Sequence, residues 1–374
     1  MGSILYVGMD VHKESYTLCC YSIDKDEVFY KQTIASDYKM VLKYLEQVRR
    51  QYKEEVEFVC GYEAGCLGYS LYHQLTERGV NCIILAPTTM EVKKKRIKTD
   101  KRDARDIARC LAFNTYNAVS IPTTEDNAVK EYIRMRDDHK KALRGIKQQI
   151  LALVLRHGYR FEDGQSYWTI KHLLWLKSLD MGDVVQEILD EYLVTYEYLN
   201  DKLERLDQRI EEMACNERYQ EKVKKLGCFL GVKTHTALSV VVEIGDFMRF
   251  KKATNFTAFL GIVPGEDSSG EKRRVGSITK EGNSHIRRLL VESAQCYSRG
   301  AIGYKSKALK RRQAGNTPQV IAYADKANER LRRKFCRLTL KNGAHRNTAV
   351  TAVARELACF MWGMMTDNIE QPIR

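Results

Sequence analysis

The spacing of apolar positions changes character along this chain. Residues 4–9, 16–23 and 28–34 are short apolar-rich runs, with the turn-forming Asp24-Lys25-Asp26 between the last two, and they predict a three-strand meander. Met40, Leu42, Leu45 and Val48 then recur at helical spacing. Residues 56–60 read as a fourth strand, 67–75 as a second helix, 80–85 as a fifth strand closed by Pro87, and 101–113 as a further helix. From about Asp126 to Met213 the strand signals vanish. Ile133, Leu143, Ile146, Ile150 and Leu153 suit one long helix ended by His157-Gly158. Tyr192, Tyr196, Leu199, Leu203, Leu206, Ile210 and Met213 form a heptad seam, flanked by charges such as Glu204, Arg205 and Glu211. That seam suits either an ordinary bundle helix or a self-associating coiled coil. From Leu226 onward the pattern is again helical, opening with Leu226-Gly227-Cys228-Phe229-Leu230-Gly231-Val232-Lys233. This turn resembles a helix–hairpin–helix, whose backbone amides could meet a phosphate, although most such turns are packing units.

The element order of the first part, βββαβαβα, is that of an RNase H-like fold. The expected layout is an α/β RNase H-like domain over 1–125, a helical, coiled-coil region over 126–220, and a mostly α domain over 221–374.

Charge narrows the function. The 374 residues carry 62 Lys and Arg against 48 Asp and Glu, a net +14, which favours a polyanionic partner. Between residues 301 and 346 there are 13 basic residues and two acids, Asp325 and Glu329, so this stretch reads as a phosphate-binding surface through Arg311, Arg312, Arg332 and Arg333. No apolar run is long enough to span a membrane, and Met1-Gly2-Ser3-Ile4-Leu5 does not read as a signal peptide. The 11 cysteines show no CxxC pair and read as reduced thiols. Together these predict a cytoplasmic, nucleoid-associated protein without a membrane partner. No GxxxxGK[ST] string is present, which argues against ATP.

Four carboxylates stand out in the first domain. Asp10 ends the first apolar strand and Glu63 ends the fourth. Asp100 and Asp103, three apart, share a face at the start of the last helix. Singly, each has an ordinary reading as a turn former or helix cap. In an RNase H-like sheet they converge, and like charges so close call for Mg2+ or Mn2+ between them. Two such ions can hold a scissile phosphate. Farther on, Asp267-Ser268-Ser269-Gly270 is a polar turn beside Lys272, Arg273 and Arg274, with Lys280, Arg287 and Arg288 following.

Asp10 in GMDVHK, Glu63 in YEAGCLG and the KTDKRDARDIA segment at 98–108 resemble the DEDD-type transposases of the insertion-sequence-110 family, as does LGIVPGEDSSGEKRRVGSITKEGNSHIRRLL at 260–290. The resemblance covers nearly the whole chain. It implies a RuvC-like N-terminal domain and a C-terminal transposase domain whose serine attacks DNA. Ser269, directly before the glycine, matches that position, with Ser268 the second choice. Many members continue with Gly-Gly, whereas here Gly270 is followed by Glu271. The resemblance also implies donor and target DNA, a structured bridge RNA as guide, and a homo-oligomer, dimer or tetramer. Two rivals remain: a metal-dependent junction-resolving nuclease without serine chemistry, and a non-catalytic nucleic-acid-binding protein.

Overall fold

A computed structural model of the chain describes residues 3–52, 55–65, 67–87, 100–164, 166–269 and 272–369; within these, the side chains of 100–101, 266–269 and 272–275 lie outside the description. The chain divides into two compact units, Met1–Ile121 and Pro122–Arg374.

The first unit is mixed α/β. Its strands are β1 (Ser3–Val11), β2 (Ser15–Ser22), β3 (Glu27–Ala35), β4 (Val56–Glu63) and β5 (Asn81–Leu85). Its helices are α1 (Tyr38–Gln51), α2 (Ser70–Thr76) and α3 (Asp100–Ala112). The sheet order is β3-β2-β1-β4-β5. The meander of β1 to β3 is antiparallel, whereas β4 pairs parallel with β1 and β5 parallel with β4. Each strand expected from the apolar runs is present.

Alternation along β1 assigns its two faces. Leu5, Val7 and Met9 are buried in one core with Val41, Tyr44, Leu45 and Val48 of α1 and Leu71 and Leu75 of α2. On the opposite face lies α3, with Ala104, Ile107, Ala108 and Leu111 turned inward. Two glycines let its backbone come this close. A Cβ on Gly8 would sit 1.9 Å from the Ala104 carbonyl oxygen, and one on Gly61 would sit 2.9 Å from the Leu111 methyls.

The second unit is helical apart from one hairpin. It comprises α4 (Thr124–Arg156), α5 (Ile170–Lys177), α6 (Asp183–Ala214), α7 (Glu217–Leu226), α8 (Thr234–Ile244), α9 (Ala253–Phe259), β6 (Pro264–Ser269), β7 (Lys272–Ile278), α10 (Ser284–Ala294), α11 (Lys307–Gln313), α12 (Pro318–Cys336) and α13 (Arg346–Met365). Thr123 caps α4 by accepting from the Asp126 amide, with Glu125 and Asp126 favourably placed in its first turn. Gly158, at φ 84°, follows its last turn, where a left-handed residue ends the helix without a Cβ clash.

Helices α4 and α6 run antiparallel. Arg136 in the first half of α4 clasps Asp207 in the second half of α6 through paired bonds of 2.7 and 2.8 Å. The heptad seam is filled within the chain: Tyr196, Leu199 and Leu203 are buried with Leu143, Ile150 and Leu153 of α4. Self-association through this seam, one of its two sequence readings, is therefore replaced by intrachain packing. Deeper in the unit, α13 is buried nearly all round, through Ala349, Val350, Val353, Ala354, Leu357, Ala358 and Met361, as a central core helix should be. Among the described residues no helix is long and apolar enough to cross a membrane.

The turn between α7 and α8 is a packing unit. Cys228, Phe229 and Val232 are fully buried. The Leu230 amide donates to Asn328 Oδ1 at 2.8 Å, and the Cys228 carbonyl accepts from Asn328 Nδ2 at 3.2 Å. A Cβ on Gly231 would meet the Ser293 carbonyl at 2.3 Å. The phosphate reading of this turn yields to these internal bonds, because an amide already bonded in a core is not available to a ligand.

The α3–β1 contact generates a prediction. Gly8→Ala forces a backbone oxygen away and should destabilise the chain by about 1–3 kcal/mol, the range for overpacking a tight interior. Chemical denaturation of the Gly8→Ala variant measures it; unchanged stability would refute the close approach.

Candidate active site and nucleic-acid interface

Strand register brings two of the expected carboxylates side by side. Met9 is aligned with Tyr62 in the parallel β1–β4 pair, so Asp10 and Glu63 are the next residues on neighbouring strands. Alternation puts both on the α3 face, because Met9 and Tyr62 belong to the opposite core. Asp103 immediately precedes Ala104, whose carbonyl contacts Gly8. Positions 100, 103, 104, 107, 108 and 111 follow one another on the same stripe of α3, so Asp100 belongs by position to the stripe that covers the sheet. Its side chain lies outside the description. Asp106 points away instead, half exposed and 3.1 Å from Arg105, which separates it from the group.

The Asp10 side chain is only 15% exposed, and its Oδ1 lies 3.5 Å from His12 Nδ1. Asp103 and Glu63 are half-buried. The donor set is wholly carboxylate, the chemistry that suits a hard divalent cation rather than zinc. Among the described residues no three His, Cys, Asp or Glu side chains are gathered closely enough to hold a metal ion.

The serine segment is a β-hairpin, where a polar turn was expected. Ser268 pairs with Arg273 and Ser269 with Lys272 across β6 and β7. Ser269 thus ends one strand and Lys272 begins the next; Gly270 and Glu271 lie outside the described residues. The sequence hid these strands because both faces carry polar residues, leaving no apolar alternation to read. The hairpin's base is tightly held. The Thr279 amide donates to the Val263 carbonyl at 3.0 Å, and the Lys280 amide to the Gly261 carbonyl at 3.0 Å. Cβ atoms on Gly261 and Gly282 would each come within 1.9 Å of a carbonyl oxygen.

The expected cations divide by what they already bond. Arg332 is 6% exposed and donates through Nη1 to the carbonyls of Ala301 and Tyr304. Arg312 donates through Nε to the Gly227 carbonyl at 3.1 Å, and burial lowers its pKa. Arg287 donates to the carbonyls of Leu260 and Glu281. These three, expected on the phosphate surface, instead bind loops together, a use that suits the five-donor guanidinium fork. Arg311 and Lys280 are exposed. Arg333 is exposed and pairs with Glu329 at 2.6 Å. The side chains of Lys272, Arg273 and Arg274 lie outside the description.

Two features were not legible as sites in the sequence. One is a cavity of about 410 Å³ lined by Lys326, Glu329, Arg330, Arg333, Lys334, Arg337 and Glu356. Burial would raise the Glu356 carboxyl, but hydrogen bonds and charge from Lys334 and Arg330 outweigh it and hold its pKa down. The other is the surroundings of Asp137 on α4, itself 10% exposed. It meets His235 Nε2 at 3.0 Å, Arg136 at 3.2 Å and Arg288. Burial would raise this carboxyl too, yet His235 and Arg288 hold it far below the usual range. Beside it, Glu243 joins Arg134 at 2.8 Å to Asn283 at 2.9 Å, and Asn283 is the cap of α10. Only the fold brings these parts of α4, α8 and α10 together, across separations of 40 to 151 residues.

Comparison with known proteins places this geometry. A transposase model of the DEDD type matches residues 7–158, and the model of the IS116/IS110/IS902 transposase family matches 224–311. The transposase for insertion sequence element IS1533 of Leptospira borgpetersenii is 33% identical over 345 residues, 90% of this chain and 97% of that protein. The chain belongs to the IS110 family of transposases. The transposase for insertion sequence element IS1111A of Coxiella burnetii is 25% identical to it over 309 residues, 80% of this chain and 79% of that one. This transposase is therefore an enzyme that cleaves and rejoins DNA. The first match spans Asp10, Glu63, Asp100 and Asp103, and the second spans the serine hairpin.

The division among the arginines is testable. Arg332→Ala leaves buried carbonyls without donors and should cost the transposase about 1–3 kcal/mol of stability. Arg333→Ala, at the surface, should stay within about 0.5 kcal/mol of the parent. Thermal unfolding of the two variants distinguishes them, and equal losses would contradict the assignment.

Proposed function

We propose that the transposase is a site-specific recombinase of an insertion sequence. Its N-terminal unit has an RNase H-like, RuvC-like fold, and Asp10, Glu63, Asp100 and Asp103 hold divalent cations, Mg2+ or Mn2+. The observation that carries this reading is the shared face of the β1 and β4 ends beneath α3, in a sheet ordered β3-β2-β1-β4-β5. Carboxylates placed there repel one another unless cations lie among them. When bound, such ions supply charge neutralisation for a scissile phosphate. The protein's own part is rigidity: Asp10 and Glu63 end the paired central strands, and Asp103 rides on the helix seated against them.

In the same reading Ser269 is the nucleophile. Its hydroxyl oxygen bonds to phosphorus as the bond to the leaving sugar oxygen breaks; the serine proton is lost to a base and the leaving oxygen takes one up. Lys272, Arg273 and Arg274, next to it on the hairpin, supply positive charge to the phosphoryl oxygens. The protein–DNA ester conserves the bond energy, so rejoining needs no ATP. Donor and target DNA, with a bridge RNA as guide, are the polyanions to which a net charge of +14 is suited. A dimer or tetramer of the chain would assemble them.

Two experiments test the reading. Asp10→Asn and Asp103→Asn should each abolish strand cleavage while leaving DNA binding intact; wild-type cleavage in either, or in excess chelator, overturns the carboxylate site. With a nicked substrate that stalls the reaction, DNA should become covalently joined to Ser269, and Ser269→Ala should lose adduct and recombination together. Cleavage that proceeds without any adduct would make the enzyme a metal-dependent nuclease instead.

A further inference from the structure

A second basic groove belongs wholly to the Pro122–Arg374 unit. It has a volume of about 590 Å³ and runs between the middle of α4 and the start of α10, lined by Arg134, Asp137, Asp138, Lys140, Lys141, Arg144, Ser284, His285, Arg288 and Glu292. Its charges form two layers. The inner layer is compensated: Arg288 is held by Asp137 and Glu292, and Arg134 by Glu243, which is 4% exposed. The outer layer is not. Lys140, Lys141 and Arg144 are exposed, and among the described residues none of them has a hydrogen bond or ion pair; Asp138 shares the groove with them, and Lys140 also borders Asp201, Glu204, Asp207 and Glu211 of α6.

We propose that this groove seats the phosphate backbone of duplex DNA, gripped by Lys140, Lys141 and Arg144 without reading its sequence. Spacing supports it. Lys140 and Lys141 lie one helical turn from Arg144, and Arg134 to Arg144 covers about 15 Å of helix, the rise of roughly four base pairs. The start of α10 adds to the grip. Ser284 and His285, the first two residues of the helix, line the groove, and a helix N-terminus favours an anion. Asp137 and Glu243 are taken up by Arg288 and Arg134, which leaves Lys140, Lys141 and Arg144 as the groove's unpaired positive charge. The occupant is a duplex because, among the described residues, no Phe, Tyr or Trp lines the groove, whereas single strands are held by stacking their bases on such rings. It is DNA because DNA is what a transposase cleaves and rejoins. The assignment does not depend on the roles proposed for Ser269 or the carboxylates.

The test uses the full-length chain and a short DNA duplex of arbitrary sequence, with affinity followed by fluorescence anisotropy between about 50 and 200 mM salt. Lys140→Gln, Lys141→Gln and Arg144→Gln combined should make the slope of log affinity against log salt shallower by about 2–3, close to one unit per lost phosphate contact. Lys140→Arg with Lys141→Arg should keep the parent slope. Lys171→Gln with Lys177→Gln, exposed cations on α5, should also leave it unchanged. An unaltered slope in the triple variant overturns the proposal. So does an equal change in the α5 control, which would reduce the effect to net charge, or a loss confined to single-stranded DNA or to an RNA duplex.

Discussion

The approach of α3 to β1 at Gly8 is the constraint on which the candidate active site depends. Without a side chain at that position the helix backbone touches the central strand, and Ala104 and Ala108 keep the interface thin. A thicker interface would lift Asp103 away from the ends of β1 and β4. The cost is a central strand with a glycine in its middle, a residue that weakens strands by its freedom in the unfolded chain. Neighbouring strands offset it, since β1 is bonded on both sides, antiparallel to β2 and parallel to β4.

The second unit is organised by ionic contacts around α4. Arg136 is bonded to both Asp137 and Asp207, and so links α4 to α6, while Asp137 reaches His235 on α8 and Arg288 on α10. Glu243, the penultimate residue of α8, joins Arg134 to the cap of α10. Charges this buried contribute little net stability when paired, yet removing one partner is costly, so they impose register more than strength. The hairpin bearing Ser269 ends directly ahead of α10, so its base, held by Thr279 and Lys280, lies a few residues from the Asn283 cap that Glu243 holds.

Cation use shows why composition alone misassigns residues. Thirteen basic residues between 301 and 346 read as one surface. In the fold, Arg312 and Arg332 close loops against carbonyls, while Arg311 and Arg333 face outward from adjacent positions. On a helix, a step of one residue turns a side chain by about a quarter of a revolution, enough to exchange solvent for core.

The sequence by itself determined the element order of the first unit, the long helices, and the positions of Asp10, Glu63, Asp100 and Asp103 on strand ends and a helix start. Each of these rests on local periodicity, which a chain carries whatever its surroundings. Tertiary structure alone decided the rest. It spent the heptad seam of α6 on α4, because an antiparallel neighbour in the same chain fills that seam without a second molecule. It turned the polar 264–278 segment into a hairpin, because backbone pairing there owes nothing to apolar alternation. It gathered Asp137 of α4, His235 and Glu243 of α8, and Arg288 of α10 from three separate helices, a proximity that no spacing within the sequence encodes.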